Sequence, residues 1–146
     1  MFPKLFTAEP RGKKLVTRRI DRTTQKVGDK YHVWHTEKIW QATQGLPVID
    51  IEIESLKHVD GVCWFDDDFP PTIRNVVEHF IRMKAVNSDY PIILDPDGQL
   101  FDGAHRVAKA LAQGQSTIKA VRMKEMPPPD EIVDSIYDGP PASGGR

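Results

Sequence analysis

Between Tyr90 and Gly114 the chain passes from an apolar run through a tight turn, a second short apolar run and an Asp-Gly break into a helical pattern. No other stretch constrains the fold as much. Tyr90-Pro91-Ile92-Ile93-Leu94 is continuously apolar and short, as expected of a buried strand. In Asp95-Pro96-Asp97-Gly98 the proline presets φ and the glycine is free to take a positive one, which predicts a tight turn. Gln99-Leu100-Phe101 returns as the second strand of the hairpin, and Asp102-Gly103 breaks it. Val107, Ala110 and Leu111 then supply the apolar face of a helix that Gly114 terminates.

The flanking segments fit a small mixed sheet with packed helices. Val48 to Ile53 carries apolar residues at 49, 51 and 53, the period of a half-buried strand. Pro70-Pro71-Thr72 opens a helix with Thr72 as its N-cap, and Ile73, Val76, Val77, Phe80 and Ile81 form an i, i+3, i+4, i+7, i+8 stripe along it. Ser116 to Val121 reads as the last strand. Upstream, Lys14–Thr17 and Tyr31–Trp34 read as strands of a peripheral hairpin, and Thr36–Thr43 as a short helix closed by Gly45 and Pro47. After Met126 the prolines, acidic residues and small residues predict an extended or disordered tail. At 146 residues this is one α/β (α+β) domain: a basic N-terminal extension (1–45), a core (46–125) and a Pro-rich tail (126–146).

Composition excludes several classes. The single cysteine, Cys63, rules out an internal disulfide and any cysteine-based metal cluster. No run approaches the roughly 18 apolar residues of a membrane span, and the N-terminus lacks the apolar core of a signal peptide. A soluble protein of the reducing cytoplasm, without a membrane partner, is the expectation. Net charge is −1, but residues 1–40 carry +6 and the remainder −7. A basic arm can track nucleic acid or another polyanion, or can be a solvated leader. The acidic remainder argues against a body wrapped in DNA.

The turn Asp102-Gly103-Ala104-His105-Arg106 is where chemistry is expected. The first amides of a helix lack internal partners and the macrodipole places partial positive charge there, so a strand passing directly into a helix makes an anion site. Gly103 has no Cβ to block a phosphate. His105 and Arg106 in the first helical turn oppose the dipole, at a few tenths to about 1 kcal/mol each when exposed, unless an anion compensates them. Arg106 offers a planar fork for a phosphate, and His105 a hydrogen bond as imidazole or imidazolium. Asp102 could cap the helix, hold a metal ion or accept a proton. Set against this, Asp-Gly is a common turn dipeptide, and the full P-loop pattern is absent.

The stretch Tyr90 to Leu111, Tyr-Pro-Ile-Ile-Leu-Asp-Pro-Asp-Gly-Gln-Leu-Phe-Asp-Gly-Ala-His-Arg-Val-Ala-Lys-Ala-Leu, resembles the core of the ParB/sulfiredoxin superfamily. Its members share a strand, an Asp-x-x-Gly hairpin, and a Gly-x-x-Arg or Gly-Cys-His-Arg motif opening a helix. With the preceding strand and helix the resemblance spans roughly residues 47–123, and it is narrowest to small stand-alone ParB-like domains. It implies nucleotide binding: ATP or ADP with magnesium in sulfiredoxins and free serine kinases, CTP in partition proteins. Carried over, Gly103 and the amides of Ala104 and His105 would cradle phosphate, His105 and Arg106 would contact the β and γ phosphates, and Thr72, Arg74 and Asn75 would add a second contact. Ala104 stands where sulfiredoxins carry their catalytic cysteine, which argues against sulfinic-acid reduction. The Pro-rich stretch soon after the core, in place of a helix-turn-helix, argues against chromosome partitioning.

The functional expectation is a nucleotide-binding protein, ATP or a related triphosphate with magnesium, acting as phosphotransferase or hydrolase on a small hydroxyl-bearing acceptor. Asp102, His105 and Arg106 would be its catalytic residues, with Asp102 as base or metal ligand. The alternatives are a nucleic-acid-binding accessory protein or ParB-like nuclease using the basic arm, and a nucleotide-switched regulator. Asp66, Asp67 and Asp68 read as a solvated acidic loop or a magnesium ligand. Trp34, Trp40 and Trp64 read as packing residues or base-stacking platforms. His32, His35, His58 and His79 show no metal-ligand spacing, and His79 lies where it can reach the site.

Overall fold

A computed structural model of the chain describes residues 22–136. In order, these are β1 (Arg22–Val27), β2 (Lys30–His35), α1 (Thr36–Thr43), β3 (Ile49–Glu52), two 3-10 turns (Ile53–Ser55 and Lys57–Asp60), α2 (Ile73–Ala85), β4 (Ile92–Leu94), β5 (Leu100–Asp102), α3 (Ala104–Ala112), β6 (Thr117–Arg122) and β7 (Glu131–Val133). The class is α+β. The main sheet runs β3-β6-β4-β5, with β6 antiparallel to β3 and parallel to β4, and β4 antiparallel to β5. A second, antiparallel sheet runs β1-β2-β7.

The central hairpin forms as its residues dictate. Gly98 takes φ 81° and donates its amide to the Asp95 carbonyl at 2.9 Å. The Asp95 carboxylate accepts from the amides of Asp97 and Gln99 at 2.8 and 3.0 Å, so the turn is held from inside. Strand β4 is buried on both faces. Ile92 and Leu94 face α3 and join Ile53, Leu56, Leu100, Val107, Ala110 and Ala120, whereas Ile93 points the other way and packs with Trp34, Ile39 and Met123. A strand covered on both sides needs no polar residues, which is why this run does not alternate.

Three expectations are changed by long-range packing. The peripheral hairpin exists, but β2 pairs with β1 at Arg22–Val27, joined by a two-residue turn with Gly28 at φ 65°. Lys14–Thr17 lies outside the described residues, which begin at Arg22. Part of the expected tail is extended but ordered: β7 pairs with β2, and Ile136 is buried against Tyr31 and Val33. The Trp34 indole donates to the Pro127 carbonyl at 2.8 Å, and Asp130 accepts the His35 amide at 2.8 Å at the start of α1. That amide, with Lys38 at 3.1 Å, holds the Asp130 carboxyl below its ordinary range.

Helix α2 forms where its stripe predicts, with the Thr72 hydroxyl accepting the Asn75 amide at 3.1 Å as N-cap. Much of the stripe turns outward: Ile73, Val76 and Phe80 are exposed and Val77 and Ile81 half-buried, while Asn75 and His79 are buried. Polar residues take the inner face because partners wait there, the Pro70 carbonyl for the Asn75 amide group at 2.8 Å and His105 for His79. Ile136→Ala should cost about 2–4 kcal/mol in urea denaturation, the range for truncating a buried aliphatic side chain. A midpoint equal to wild type would show residues 126–136 to be dispensable.

Candidate functional site

Gly103 starts the site. It is the N-cap of α3, in the left-handed region at φ 114°, and no side chain caps the helix. A Cβ at this position would lie 2.8 Å from Ile92 Cγ2 and 3.1 Å from an Arg106 guanidinium nitrogen, so only glycine lets the strand drop into the helix here. Asp102 does not cap the helix. Its Oδ1 accepts the Thr23 hydroxyl at 3.1 Å and its Oδ2 the Arg106 guanidinium at 3.4 Å, which ties the N-terminal hairpin to the turn.

His105 and Arg106 diverge from the first turn of α3. The Arg106 side chain runs back toward Asp102 and lines a polar crevice of about 130 Å³ with Asp50, Ser88, Tyr90 and Lys119. Its Nε is buried with no hydrogen-bond partner among the described residues. His105 turns toward α2 instead, where its Nε2 lies 2.8 Å from Nδ1 of His79. The two ring centroids are 5.1 Å apart and the planes differ by 10°. With the nitrogens in hydrogen-bond contact, that places the imidazoles side by side in one plane.

Trp64 covers this plane. Its indole is stacked on both rings at once, 4.7 Å from His79 and 4.8 Å from His105, tilted by 9° and 13°. Phe65 and Phe69 present their edges to His79 at 5.4 and 6.2 Å. Asp66 organises this segment by accepting the amides of Asp68 and Phe69 at 2.9 and 2.8 Å, a structural task for one member of the acidic triplet. Burial, with the positive charges of Arg82 and Arg106 nearby, lowers the His105 pKa to about 4. Burial therefore keeps His105 neutral at neutral pH, with its Nε2 in hydrogen-bond contact with His79.

Of the expected contacts, Gly103, Ala104, His105, Arg106 and Asp102 lie together at the turn. Thr72 and Asn75 are engaged in the α2 cap, and Arg74 is exposed beside them. Trp34 is core, Trp40 is exposed and Trp64 belongs to the site. His79 reaches the site as its place on α2 allowed, but its partner His105 and the roof of Trp64 were not foreseen. The signal was the aromatic residues flanking the acidic triplet, but nothing local says which imidazole they cover.

Among the described residues no helix is long and apolar enough to cross a membrane. No protein-family model, curated protein or solved structure matches this chain.

Gly103→Ala combines backbone strain with a clash against Ile92 and should cost about 3 kcal/mol or more, measured by chemical denaturation. The His105 shift gives a pH signature. The unfolded chain protonates this residue near its ordinary 6.5 and the folded chain only near 4, so stability is full above that window and falls as pH drops through it. Between about pH 7 and about pH 5 the loss should be about 1–2 kcal/mol, and His105→Gln should flatten the slope by that amount. An unchanged slope in the variant would place the acid sensitivity elsewhere.

Proposed function

We propose that this chain binds ATP or a related nucleoside triphosphate with magnesium in the cytoplasm, as a phosphotransferase or hydrolase acting on a small hydroxyl-bearing molecule. The observation that carries this reading is the start of α3: a glycine with left-handed φ, no side-chain cap, and a guanidinium packed beside it. A phosphate group would supply the missing cap by accepting from the amides of Ala104 and His105. Arg106 would turn its fork from Asp102, a loose contact at 3.4 Å, toward the anion. The resemblance of residues 47–123 to ParB/sulfiredoxin domains supports the same reading.

The residues present suit magnesium in the manner usual for nucleotide enzymes, where one or two carboxylates and the phosphates share the ion. Asp102, with its carboxylate partly exposed, would be that ligand, and the bound ion would neutralise charge developing on the phosphates. His105 would offer a neutral N–H or lone pair next to the turn, with His79 fixing its orientation through the 2.8 Å bond. An adjacent phosphate would raise the His105 pKa and favour a donating imidazolium.

The test is a thermal-shift screen of ATP, ADP, CTP and GTP, with and without magnesium. A ligand at 100 times its Kd adds about 2.7 kcal/mol of stability. Arg106→Ala should abolish the shift, and Arg106→Lys, which keeps the charge but loses the fork, should weaken it. Nucleotide affinity unchanged in Arg106→Ala by calorimetry would overturn the reading.

A further inference from the structure

A cavity of about 370 Å³ opens beside Trp64. One wall is the outer face of α3, where Ala104, Ala108 and Leu111 lie at helical spacing, and the other is the 56–65 segment with Val59, Val62 and Trp64. Small residues at 104 and 108 leave the space that larger ones would fill. None of the residues lining it is Asp, Glu, Lys or Arg. The volume falls in the range of small-molecule sites, and a mostly apolar lining, with His58 and Cys63 as its titratable members, suits an uncharged apolar body. Trp64 and Phe65 add aromatic faces for stacking.

The cavity shares two residues with the candidate site. Ala104 is both a wall residue and the first residue of α3, and Trp64 both lines the cavity and stacks on His105. Cys63 lies on the wall as well, open to solvent, in apolar surroundings that push its thiol pKa up.

From this geometry we infer that the cavity between α3 and the 56–65 segment is a second ligand compartment, built for the uncharged, aromatic body of a small molecule. It rests on the nucleotide reading only for its role, which is to hold the hydroxyl-bearing partner of the phosphate-binding turn. The ligand class is an arene or phenol of about the size of two fused rings.

The single cysteine is a native reporter. Alkylation of Cys63 by N-ethylmaleimide, followed by mass spectrometry on the full chain, is compared with and without 1-naphthol, and the stability shift given by inorganic triphosphate is measured separately. Saturating 1-naphthol should slow alkylation at least fivefold. Ala108→Phe, which fills the cavity away from the turn, should abolish that protection and leave the triphosphate shift intact. Leu111→Glu, at the exposed rim, should weaken it and serves where Ala108→Phe does not fold. Triphosphate binding without naphthol protection would overturn the compartment and leave the nucleotide reading standing. Naphthol protection without triphosphate binding would keep the compartment and remove the nucleotide reading. Undiminished protection in both variants would place the ligand elsewhere and overturn the proposal. So would protection that rises with protein concentration in place of naphthol, because a second copy would then be the occupant.

Discussion

The site depends on the contact between Gly103 and Ile92. Ile92 is fully buried in a central strand of the main sheet, and its branched side chain rises into the space a Cβ on residue 103 would need. The chain can therefore leave β5 at a steep, left-handed angle and lay α3 directly on the sheet. That descent inserts Val107 and Ala110 into the core, returns Arg106 toward Asp102, and carries His105 against α2. A longer or looser connection would separate these three consequences.

Electrostatics at the turn are settled without free cations. A helix N-terminus with two basic residues is unfavourable as written. Burial keeps His105 neutral and gives it His79 as a partner, while Arg106 is matched by Asp102, which Thr23 steadies from the N-terminal hairpin. The result is a helix start without a side-chain cap, beside a guanidinium held by Asp102 at 3.4 Å. The Trp64 indole stacked on His105 adds to the burial that lowers that residue's proton affinity.

How much of this was legible in the sequence varies with the distance over which a feature is decided. The 95–98 turn, the Thr72 cap, the Thr36–Thr43 helix, the Gly103 break and the Gly114 stop were all readable, because a few consecutive residues set their torsions and hydrogen bonds. The hairpin partner of β2 is the adjacent β1, joined to it by a two-residue turn at Gly28, whereas the expectation placed it farther back at Lys14–Thr17. The Pro-rich stretch after Met126 read as an extended or disordered tail, and its described part is extended: β7 pairs with β2, and Ile136 packs on Tyr31 and Val33. On α2 the apolar period was right about the helix and misleading about its inner face, because the hydrogen bonds of Asn75 and His79 outweighed the stripe.

By itself the sequence determined the α+β class, the strand-turn-strand-helix order of residues 92–112, and the glycine that lets β5 pass directly into α3. Backbone torsions and short-range periodicity carry that information, and both are properties of neighbouring residues. Only the tertiary structure decided that His79 meets His105 across 26 positions, that Trp64 roofs the pair, that Arg106 and His105 part company, and that a cavity opens beside the indole. Each of these depends on how α2, α3 and the 56–69 segment pack together, and packing is settled by the combined burial of residues that no local pattern links.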